Sequence, residues 1–419
     1  MSKIRIKNFG PIKEGFSETL PNGKVNEWLD VKKVTVFIGN QGSGKSTVAK
    51  LISTLTWIEK ALNRGDLTPK QLTIARFLTL LKYQRINNYY NNGKTEIEYE
   101  GDKYFIGFTF NNQFVITRKL EGNPYVPPQI MYVPAERNFL SSVSEAFNVK
   151  GMPETLFTFA EELRKAQRKL DGAPIDLPLP GYKYMYDQDK DVSYVIGQDH
   201  QVNLLEASSG FQSTIPLFLV TRNLTLILKD KISINDNISI DNLIRMTEEI
   251  YKILSDKKLT DKDKQIDLTR NKYVNSCLIN IVEEPEQNLF PSSQRQVLNE
   301  LLGFNNINID NKLVFTTHSP YLINYLTLCV KAYNVYKFLK DKKINLSDPA
   351  YLQISNIVPI SSTVNAKDLG IYELDESDGS IIRLPDYKGL PSDENKLNYG
   401  LEDSNELFAQ LQEIEKGWQ

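Results

Sequence analysis

The fold of this chain is decided by the stretch Gly39-Asn40-Gln41-Gly42-Ser43-Gly44-Lys45-Ser46-Thr47. It follows the β-branched run Val34 to Ile38 and precedes a helical pattern of apolar residues that Gly65 closes. In the spacing G-x-x-x-x-G-K-S/T, backbone N–H groups cradle phosphates, the lysine reaches the outer phosphates and the serine holds magnesium. The N-terminus of the following helix adds partial positive charge. The pattern predicts a strand, a phosphate-binding loop and a helix, against the alternative of a glycine turn with an exposed lysine.

Composition limits the class of protein. A chain of 419 residues with 41% hydrophobic and 24% charged side chains is typical of a soluble protein, with two to three domains or one domain with large insertions. The net charge of -2 provides no general basic field, so nucleic-acid binding would need a local patch and stays open. The only cysteines, Cys277 and Cys329, lack metal-ligand spacing, which favours a reducing cytoplasm. Arg222 and Asn223 interrupt the longest apolar run, Thr214 to Leu228, so we expect no membrane span.

Strand and helix patterns alternate along much of the chain. Buried strands are predicted at 278–282 and 313–316, with a helix around 292–302 between them. Strands that helices separate in this way favour a mostly parallel sheet. Residues 95–118 alternate polar and apolar side chains around two turns, which predicts an antiparallel patch. The predicted fold class is α/β, and we expect residues 4–9 to form an edge strand.

Three further regions have distinct patterns. Residues 156–170 predict an amphipathic helix whose polar face is basic. Such a face is more often solvated than bound to DNA phosphates, but both readings stay open. The basic residues are Arg164, Lys165, Arg168 and Lys169. Residues 229–275, rich in Lys, Asp and Asn, are interpreted as an exposed helical insertion. Residues 371–374 and 381–384 predict a hairpin across Asp378-Gly379.

An acidic turn follows the strand that ends at Val282. It reads Glu283-Glu284-Pro285-Glu286. A strand that ends in carboxylates beside a phosphate loop supplies what magnesium and a hydrolytic water require. We interpret Glu283 and Ser46 as ligands of the magnesium ion, and Glu284 as the base that positions the water. The alternative is an acidic surface turn.

Two other segments are candidates for phosphate contact. His318 follows the strand 313–316 and would lie at the carboxyl edge of the sheet, where an imidazole can sense a γ-phosphate. A structural histidine is the alternative. Ser209 and Gly210 open the apolar helical run 215–228. A helix start with hydroxyl donors can bind an anion, although an ordinary N-cap has the same sequence.

Taken in this order, the segments resemble the ATPase heads of the ABC superfamily. The Walker A, signature and Walker B motifs correspond to residues 39–47, 208–212 and 278–284, and the switch histidine corresponds to His318. The opening Ile4 to Ile12 is similar to the first strand of the SMC, RecF and OLD branch. The resemblance implies an ABC-type head with a mostly parallel sheet, an antiparallel patch, a helical lobe and a small C-terminal α+β extension.

Finer features point to one branch of that superfamily. Glu283 to Pro291, Thr316 to Tyr321 and Tyr132 to Arg137 are similar to OLD-like ATPases, including those of bacterial anti-phage systems such as PARIS and Septu. Glu283 stands where Walker B motifs usually have aspartate, and Phe211 stands where transporters commonly have glycine. No glutamine can be assigned to a Q-loop, whose place corresponds to the segment with Glu136 and Arg137.

The resemblance also implies roles for single residues. Catalysis is assigned to Glu284, His318 and Lys45, and metal binding to Ser46 and Glu283. ATP contacts are assigned to Gly39, Asn40, Gln41, Gly42, Ser43, Gly44, Lys45, Ser46, Thr47, Ser209 and Gly210. The implied units are 1–135 (first part of the ATPase lobe), 136–228 (helical lobe), 229–275 (insertion), 276–345 (second part of the ATPase lobe) and 346–419 (C-terminal extension).

The implied activity is hydrolysis of ATP with Mg2+ by a homodimer or higher homo-oligomer. Two heads would pair head to tail, with ATP between residues 39–47 of one subunit and Ser209-Gly210 of the other. Nucleotide state would control a separate effector, a TOPRIM or HNH nuclease, in anti-phage defence. The alternatives are a RecF- or SMC-like DNA-binding ATPase, a transporter subunit and a self-contained nuclease. The residues after His318 lack an Asp-x-Asp strand end, which argues against the last of these.

Overall fold

A computed structural model describes residues 2–109, 113–119, 125–229, 238, 240–256, 259–345 and 347–416. The strands are β1 (Ser2–Lys7), β2 (Gly15–Phe16), β3 (Glu18–Thr19), β4 (Val25–Asn26), β5 (Leu29–Val31), β6 (Val34–Gly39), β7 (Glu96–Glu100), β8 (Tyr104–Phe108), β9 (Phe114–Arg118), β10 (Pro128–Val133), β11 (Ile175–Asp176), β12 (Lys183–Asp187), β13 (Val192–Ile196), β14 (Gln201–Asn203), β15 (Cys277–Glu283), β16 (Lys312–Thr316), β17 (Leu369–Leu374), β18 (Ser380–Arg383), β19 (Asp386–Tyr387) and β20 (Leu390–Pro391).

The helices are α1 (Lys45–Arg64), α2 (Ile74–Tyr83), α3 (Phe139–Ser142), α4 (Glu154–Arg168), α5 (Ser209–Lys229), α6 (Ile240–Ser255), α7 (Lys262–Tyr273), α8 (Pro291–Asn306), α9 (Pro320–Asp341), α10 (Pro349–Ile357) and α11 (Lys396–Lys416).

The central sheet has the strand order β10-β15-β16-β6-β17-β18-β2 within the described residues. The first five of these strands run parallel, and β18 is antiparallel to β17. Every residue of β6 and β15 is buried, as expected for strands covered on both faces. The mixed α/β architecture with a mostly parallel sheet, which the sequence predicts, is confirmed.

The two faces of the central sheet pack into two separate cores. Side chains alternate along β6, so Val36 joins one core and Phe37 joins the other. The core around Val36 is completed by α4, α5, α8 and α9. The core around Phe37 contains the apolar face of α1 and the inner face of a second sheet. Helix α1 is therefore held between two sheets, which fixes the loop that precedes it.

The second sheet is antiparallel and has the order β5-β1-β7-β8-β9. It contains the alternating segment that the sequence assigns to an antiparallel patch. The expectation of an edge strand at the start of the chain is wrong, because β1 pairs with β5 on one side and β7 on the other. The side chains of Ile4 and Ile6 are buried on the face that covers α1. Local alternation identified this strand but not its neighbours.

The segment between β10 and β15 contains α3 to α7 and a four-stranded antiparallel sheet, β11-β12-β13-β14. Among the described residues, α5 is the helix that is long and apolar enough to cross a membrane, but 78% of its apolar window is buried inside the protein. It contacts α4, α8 and β15, so it is packed as a core helix. In the predicted insertion, α6 and α7 pack on each other, and Arg245 forms an ion pair with Asp66 after α1.

The C-terminal hairpin is present as β17 and β18, with the turn at Asp378-Gly379. It is not peripheral, because β17 pairs in parallel with β6 along its whole length. The register places Leu374 beside Gly39. The turn after β17 is therefore at the same edge of the sheet as the glycine loop 39–47.

Candidate active site

The loop between β6 and α1, which the sequence predicts to be a phosphate cradle, contains glycines in the left-handed region of the backbone. Helix α1 begins at Lys45, and Gly44 before it has a φ of 99°. Gly39 has a φ of 139°, and a Cβ added there would lie 2.4 Å from the carbonyl oxygen of Leu374. Ser43, Gly44 and Thr47 are buried, Ser46 is half-buried, and residues 40–42 are exposed. The second half of the loop is therefore packed against other residues, and its tip at residues 40–42 is exposed to solvent.

Lys45 lies inside this cradle with its ammonium group bonded to the loop. Its Nζ donates to the carbonyl oxygen of Gly39 at 2.7 Å and to that of Asn40 at 2.8 Å. Burial lowers the pKa of Lys45 to about 8, although the carboxylates of Glu284, Glu286 and Glu376 oppose this change. The Lys45 ammonium therefore interacts electrostatically with three carboxylates at the carboxyl edge of the sheet.

The strand β15 ends in the two carboxylates that the sequence singles out. Glu283 is 5% exposed, and its Oε2 accepts from the backbone N–H of Ala135 at 3.2 Å. Its Oε1 is buried without a hydrogen-bond partner. Glu284 has a φ of 43°, an unusual backbone conformation for a residue with a side chain, and its N–H donates to the carbonyl oxygen of Thr316 at 3.0 Å. Burial, with the charge of Glu283, raises the pKa of Glu284.

His318 lies between these carboxylates and the loop because β16, the strand before it, separates β15 from β6. Its Nε2 is 3.7 Å from Oε1 of Glu284. Its backbone N–H donates to Oε1 of Glu286 at 2.7 Å, and the hydroxyl of Thr317 donates to the same oxygen at 2.7 Å. Burial and the charge of Lys45 lower the pKa of His318, so its imidazole is neutral at pH 7.

The residues assigned to magnesium fit that ion in part. Glu283 provides a buried carboxylate oxygen with no other partner, and Ser46 provides a hydroxyl on the first turn of α1. Magnesium commonly takes one or two protein oxygens and fills its other positions with phosphate and water oxygens. In the described residues, no group of three or more His, Cys, Asp and Glu side chains is arranged to hold a metal ion. The site suits magnesium that arrives with a phosphate ligand.

The signature segment lies at the start of α5. Ser209 is exposed, whereas Gly210 is buried and a Cβ there would lie 2.9 Å from the carbonyl oxygen of Asn288. The side chain of Gln212 donates to the carbonyl oxygens of Leu204 and Leu205. The approach of Gly210 to Asn288 places the segment against the turn after β15, whereas the bonds of Gln212 join it to the turn after β14, and none of these contacts involves the glycine loop 39–47. The structure therefore does not bring Ser209 and Gly210 together with Lys45 through any described contact.

Arg137 is a site residue whose role the sequence does not reveal. Its side chain is fully buried, and its guanidinium donates to the carbonyl oxygens of Glu283 at 2.6 Å, Glu284 at 2.6 Å and Ser213 at 3.0 Å. Burial lowers its pKa to about 10, which leaves it charged at pH 7. Arg137 thus joins the acidic turn to α5. Its place after a buried strand was the available signal, but its partners are far away in the sequence.

Glu286 and Glu376 are two further carboxylates that sequence reasoning did not assign. Glu286 receives the two bonds from Thr317 and His318, while its Oε2 is buried and unpartnered. Its pKa is raised by burial. Glu376 follows β17 and accepts a hydrogen bond from Asn40. Glu286 belongs to the acidic turn that the sequence identified, whereas Glu376 lies in the segment that it assigned to a C-terminal extension.

Comparison with known proteins gives likenesses of structure only. No family model matches the chain, and no curated protein matches it. An SMC head bound to the C-winged helix domain of ScpA matches with a TM-score of 0.38 at 9% identity, over 91% of this chain and 95% of that chain. The SMC head domain from Thermotoga maritima matches with a TM-score of 0.36 at 9% identity, over 92% and 98%.

An ATP-binding cassette in a dimeric post-hydrolysis state, bound to ADP and Pi, matches with a TM-score of 0.28 at 12% identity, over 92% of this chain and 100% of that chain. These scores and identities carry no argument about function. The function proposed below therefore rests on the site of this chain and on the motifs of its sequence.

Proposed function

We propose that this protein is an ABC-type ATPase of the SMC, RecF and OLD-like branch that binds ATP with Mg2+ and hydrolyses it. The observation that carries the proposal is the assembly of Lys45, Glu284 and His318 at one edge of the sheet, beside a glycine loop that opens a helix. Lysine in such a loop neutralises phosphate oxygens, and a carboxylate beside it positions the attacking water. Bound magnesium would supply further neutralisation of phosphate charge.

Glu284 is the residue that we assign to the water. Its raised pKa makes it a stronger base than an exposed carboxylate, and its backbone is held by Thr316 and by Arg137. We assign to His318, whose Nε2 lies 3.7 Å from Oε1 of Glu284, the orientation of Glu284 and contact with the γ-phosphate. Glu286 holds the backbone of His318, which keeps the imidazole at this edge.

We assign a regulatory role to the activity. Two subunits would pair head to tail, so that Ser209 and Gly210 of one complete the site of the other. Ser209 is exposed in the single chain, as this pairing requires. Nucleotide state would control a separate cytoplasmic effector, most simply a nuclease, in defence against phage. This part of the proposal rests on the sequence resemblance to OLD-like ATPases.

The test is phosphate release from ATP by the purified protein over a range of protein concentrations. We expect specific activity to rise with concentration, because each site needs a second subunit. Lys45→Ala should abolish activity, whereas Lys50→Ala, on the same helix outside the loop, should not. Activity that survives Lys45→Ala would contradict the assignment. Phage protection by the gene with its neighbours, lost with Lys45→Ala, tests the defence role.

A DNA-binding ATPase of RecF or SMC type is the second candidate. The helix α4 exposes Arg168, and Arg164 stacks on Phe147; within the described part of the chain neither forms an ion pair with a carboxylate. Cations of this kind can contact DNA phosphates. ATP-dependent DNA binding that weakens steeply with salt, and that is weaker and less salt-dependent in an Arg164→Ala, Arg168→Ala variant, would support this candidate.

A further inference from the structure

The turn that follows β17 is acidic and touches the phosphate-binding loop. It comprises Asp375 to Gly379, and the parallel register of Leu374 beside Gly39 places it there. The close approach of the Leu374 carbonyl to Gly39 leaves no space for a side chain between the two segments. A shift in the backbone of either segment therefore displaces the other segment.

One side-chain bond joins the two segments. Nδ2 of Asn40 donates to Oε1 of Glu376 at 2.5 Å. The backbone carbonyl of Asn40 also accepts from Nζ of Lys45 and, at 2.8 Å, from the hydroxyl of Ser43. Asn40 thus connects Glu376 with the lysine of the loop. The bond to Asn40 lowers the pKa of Glu376, which keeps its carboxylate charged at neutral pH.

Glu376 is also linked to the last helix. Nζ of Lys396, at the start of α11, lies 2.6 Å from Oδ2 of Asp375 and 3.5 Å from Oε2 of Glu376. The backbone N–H of Lys396 donates to Oε2 of Glu373 at 2.9 Å, which fixes the first turn of α11 on β17. Lys396 is therefore a second partner within reach of the Glu376 carboxylate.

We propose that Glu376 is a positioning residue of the nucleotide site that opposes ATP binding: it holds Asn40 so that the carbonyls of Gly39 and Asn40 retain Lys45. This inference rests on the proposed function, because it concerns the same loop. ATP needs the ammonium of Lys45 for its phosphates, and two of the three N–H donors of that ammonium go to the carbonyls of Gly39 and Asn40, so these bonds compete with phosphate. The phosphates would also lie near the Glu376 carboxylate, and like charges repel.

The release of Asn40 leaves Lys396 as the remaining partner of Glu376. Its carboxylate then pairs with Lys396, which it already approaches, and the start of α11 is bound more tightly to the turn. ATP binding is in this way communicated to the C-terminal helix. Glu376→Gln should remove the repulsion and weaken the restraint on Asn40, because the amide oxygen that remains is an uncharged acceptor.

The test is the dissociation constant of ATP for the full chain, measured by calorimetry. We expect Glu376→Gln to tighten ATP binding about threefold to tenfold, an effect that shrinks as salt screens the carboxylate. Glu394→Gln, an exposed site in the same C-terminal segment, removes the same charge and should not change affinity. In an Asn40→Ala background, the effect of Glu376→Gln should fall to about half or less, since the two residues act through one bond.

The outcomes separate this inference from the proposed function. Unchanged or weaker ATP binding by Glu376→Gln, in a protein whose wild type binds ATP, overturns the inference alone. The same holds if the effects of Asn40→Ala and Glu376→Gln are additive. A wild-type protein that does not bind ATP overturns the proposed function itself.

Discussion

Nε2 of His318 lies 3.7 Å from Oε1 of Glu284, and the backbone of the same histidine is held by Glu286. Because burial and Lys45 lower the pKa of His318, this contact is not an ion pair at pH 7. A neutral imidazole can instead donate or accept a hydrogen bond as its neighbours require. The pair therefore suits proton movement and the alignment of a water better than it suits stability.

We predict that Glu284→Gln keeps ATP binding but lowers the rate of hydrolysis. The amide has nearly the same shape, but it cannot accept a proton, and loss of a general base typically costs about a hundredfold or more. The measurement is single-turnover hydrolysis together with ATP affinity. Glu300→Gln, an exposed carboxylate on α8, is the matched control and should leave both quantities unchanged. Full turnover by Glu284→Gln would rule out its assignment as the base.

Substitution by alanine should have different effects on stability and ATP binding at two glycines of the loop. At Gly39 a Cβ would meet the Leu374 carbonyl, whereas at Gly42, with a φ of 81°, it would meet no atom within 4 Å. We expect Gly42→Ala to cost about 1–2 kcal/mol of stability from backbone strain alone. Gly39→Ala should cost more and should also abolish ATP binding, because β6 and β17 must separate. Thermal unfolding and ATP titration of the two variants check this; equal effects would contradict it.

Arg137 should be essential for stability. Arg137→Ala removes the guanidinium donor from the carbonyls of Glu283, Glu284 and Ser213. The Glu284 carbonyl keeps the N–H of Gln287 as a donor, whereas a buried carbonyl left without any donor costs about 1–3 kcal/mol. We expect a marked loss in the free energy of unfolding, measured in urea. Arg168→Ala, an exposed arginine on α4, should change it by less than about 0.5 kcal/mol. A small effect of Arg137→Ala would show that water satisfies these carbonyls.

We predict that Lys60 makes the free energy of unfolding depend on pH. Its Nζ donates to the Pro128 carbonyl and to Oδ1 of Asn275, and burial lowers its pKa to about 7. Between pH 7 and the ordinary lysine range the unfolded chain keeps a proton that the folded chain has released. Stability should therefore rise with pH, by up to about 1.4 kcal/mol per unit from this group, and stay level below about pH 7.

The check on Lys60 is urea unfolding at several pH values between 6 and 9.5. Lys60→Met should remove this part of the pH dependence whatever it does to stability at any single pH. Lys50→Met, a partly exposed site on the same helix, should keep the wild-type dependence. An identical pH dependence in wild type and Lys60→Met would refute the prediction.

Much of the fold could be predicted because its signals are local. The β-branched run before Gly39, the buried strand before Glu283 and the alternation around Tyr104 each specify an element from neighbouring residues. Parallel strands then bring their carboxyl ends to one edge, and this brings Lys45, Glu284 and His318 together. Their chemical roles stay predictions until they are tested.

The rest depends on contacts between distant residues. The position of β1 inside its sheet follows from pairing with both Leu29 and Tyr99, which its own pattern does not specify. Arg137 finds its carbonyl partners on β15 and α5, and Glu376 reaches Asn40 only because β17 lies beside β6. The alternation of apolar residues identifies a strand and its buried face, but it does not determine which strand pairs with it.

The place of β6 in the central sheet has a consequence for synthesis. Its two neighbours pair Val34 with Leu313 and with Leu369, both from the last third of the chain. A nascent chain carries the complete glycine loop long before either flanking strand exists, and such long-range pairing forms slowly. The loop can reach its final shape only after β17 has left the ribosome. ATP binding would then be confined to chains that have been synthesised past β17, and products that end before this strand would be unable to compete for nucleotide.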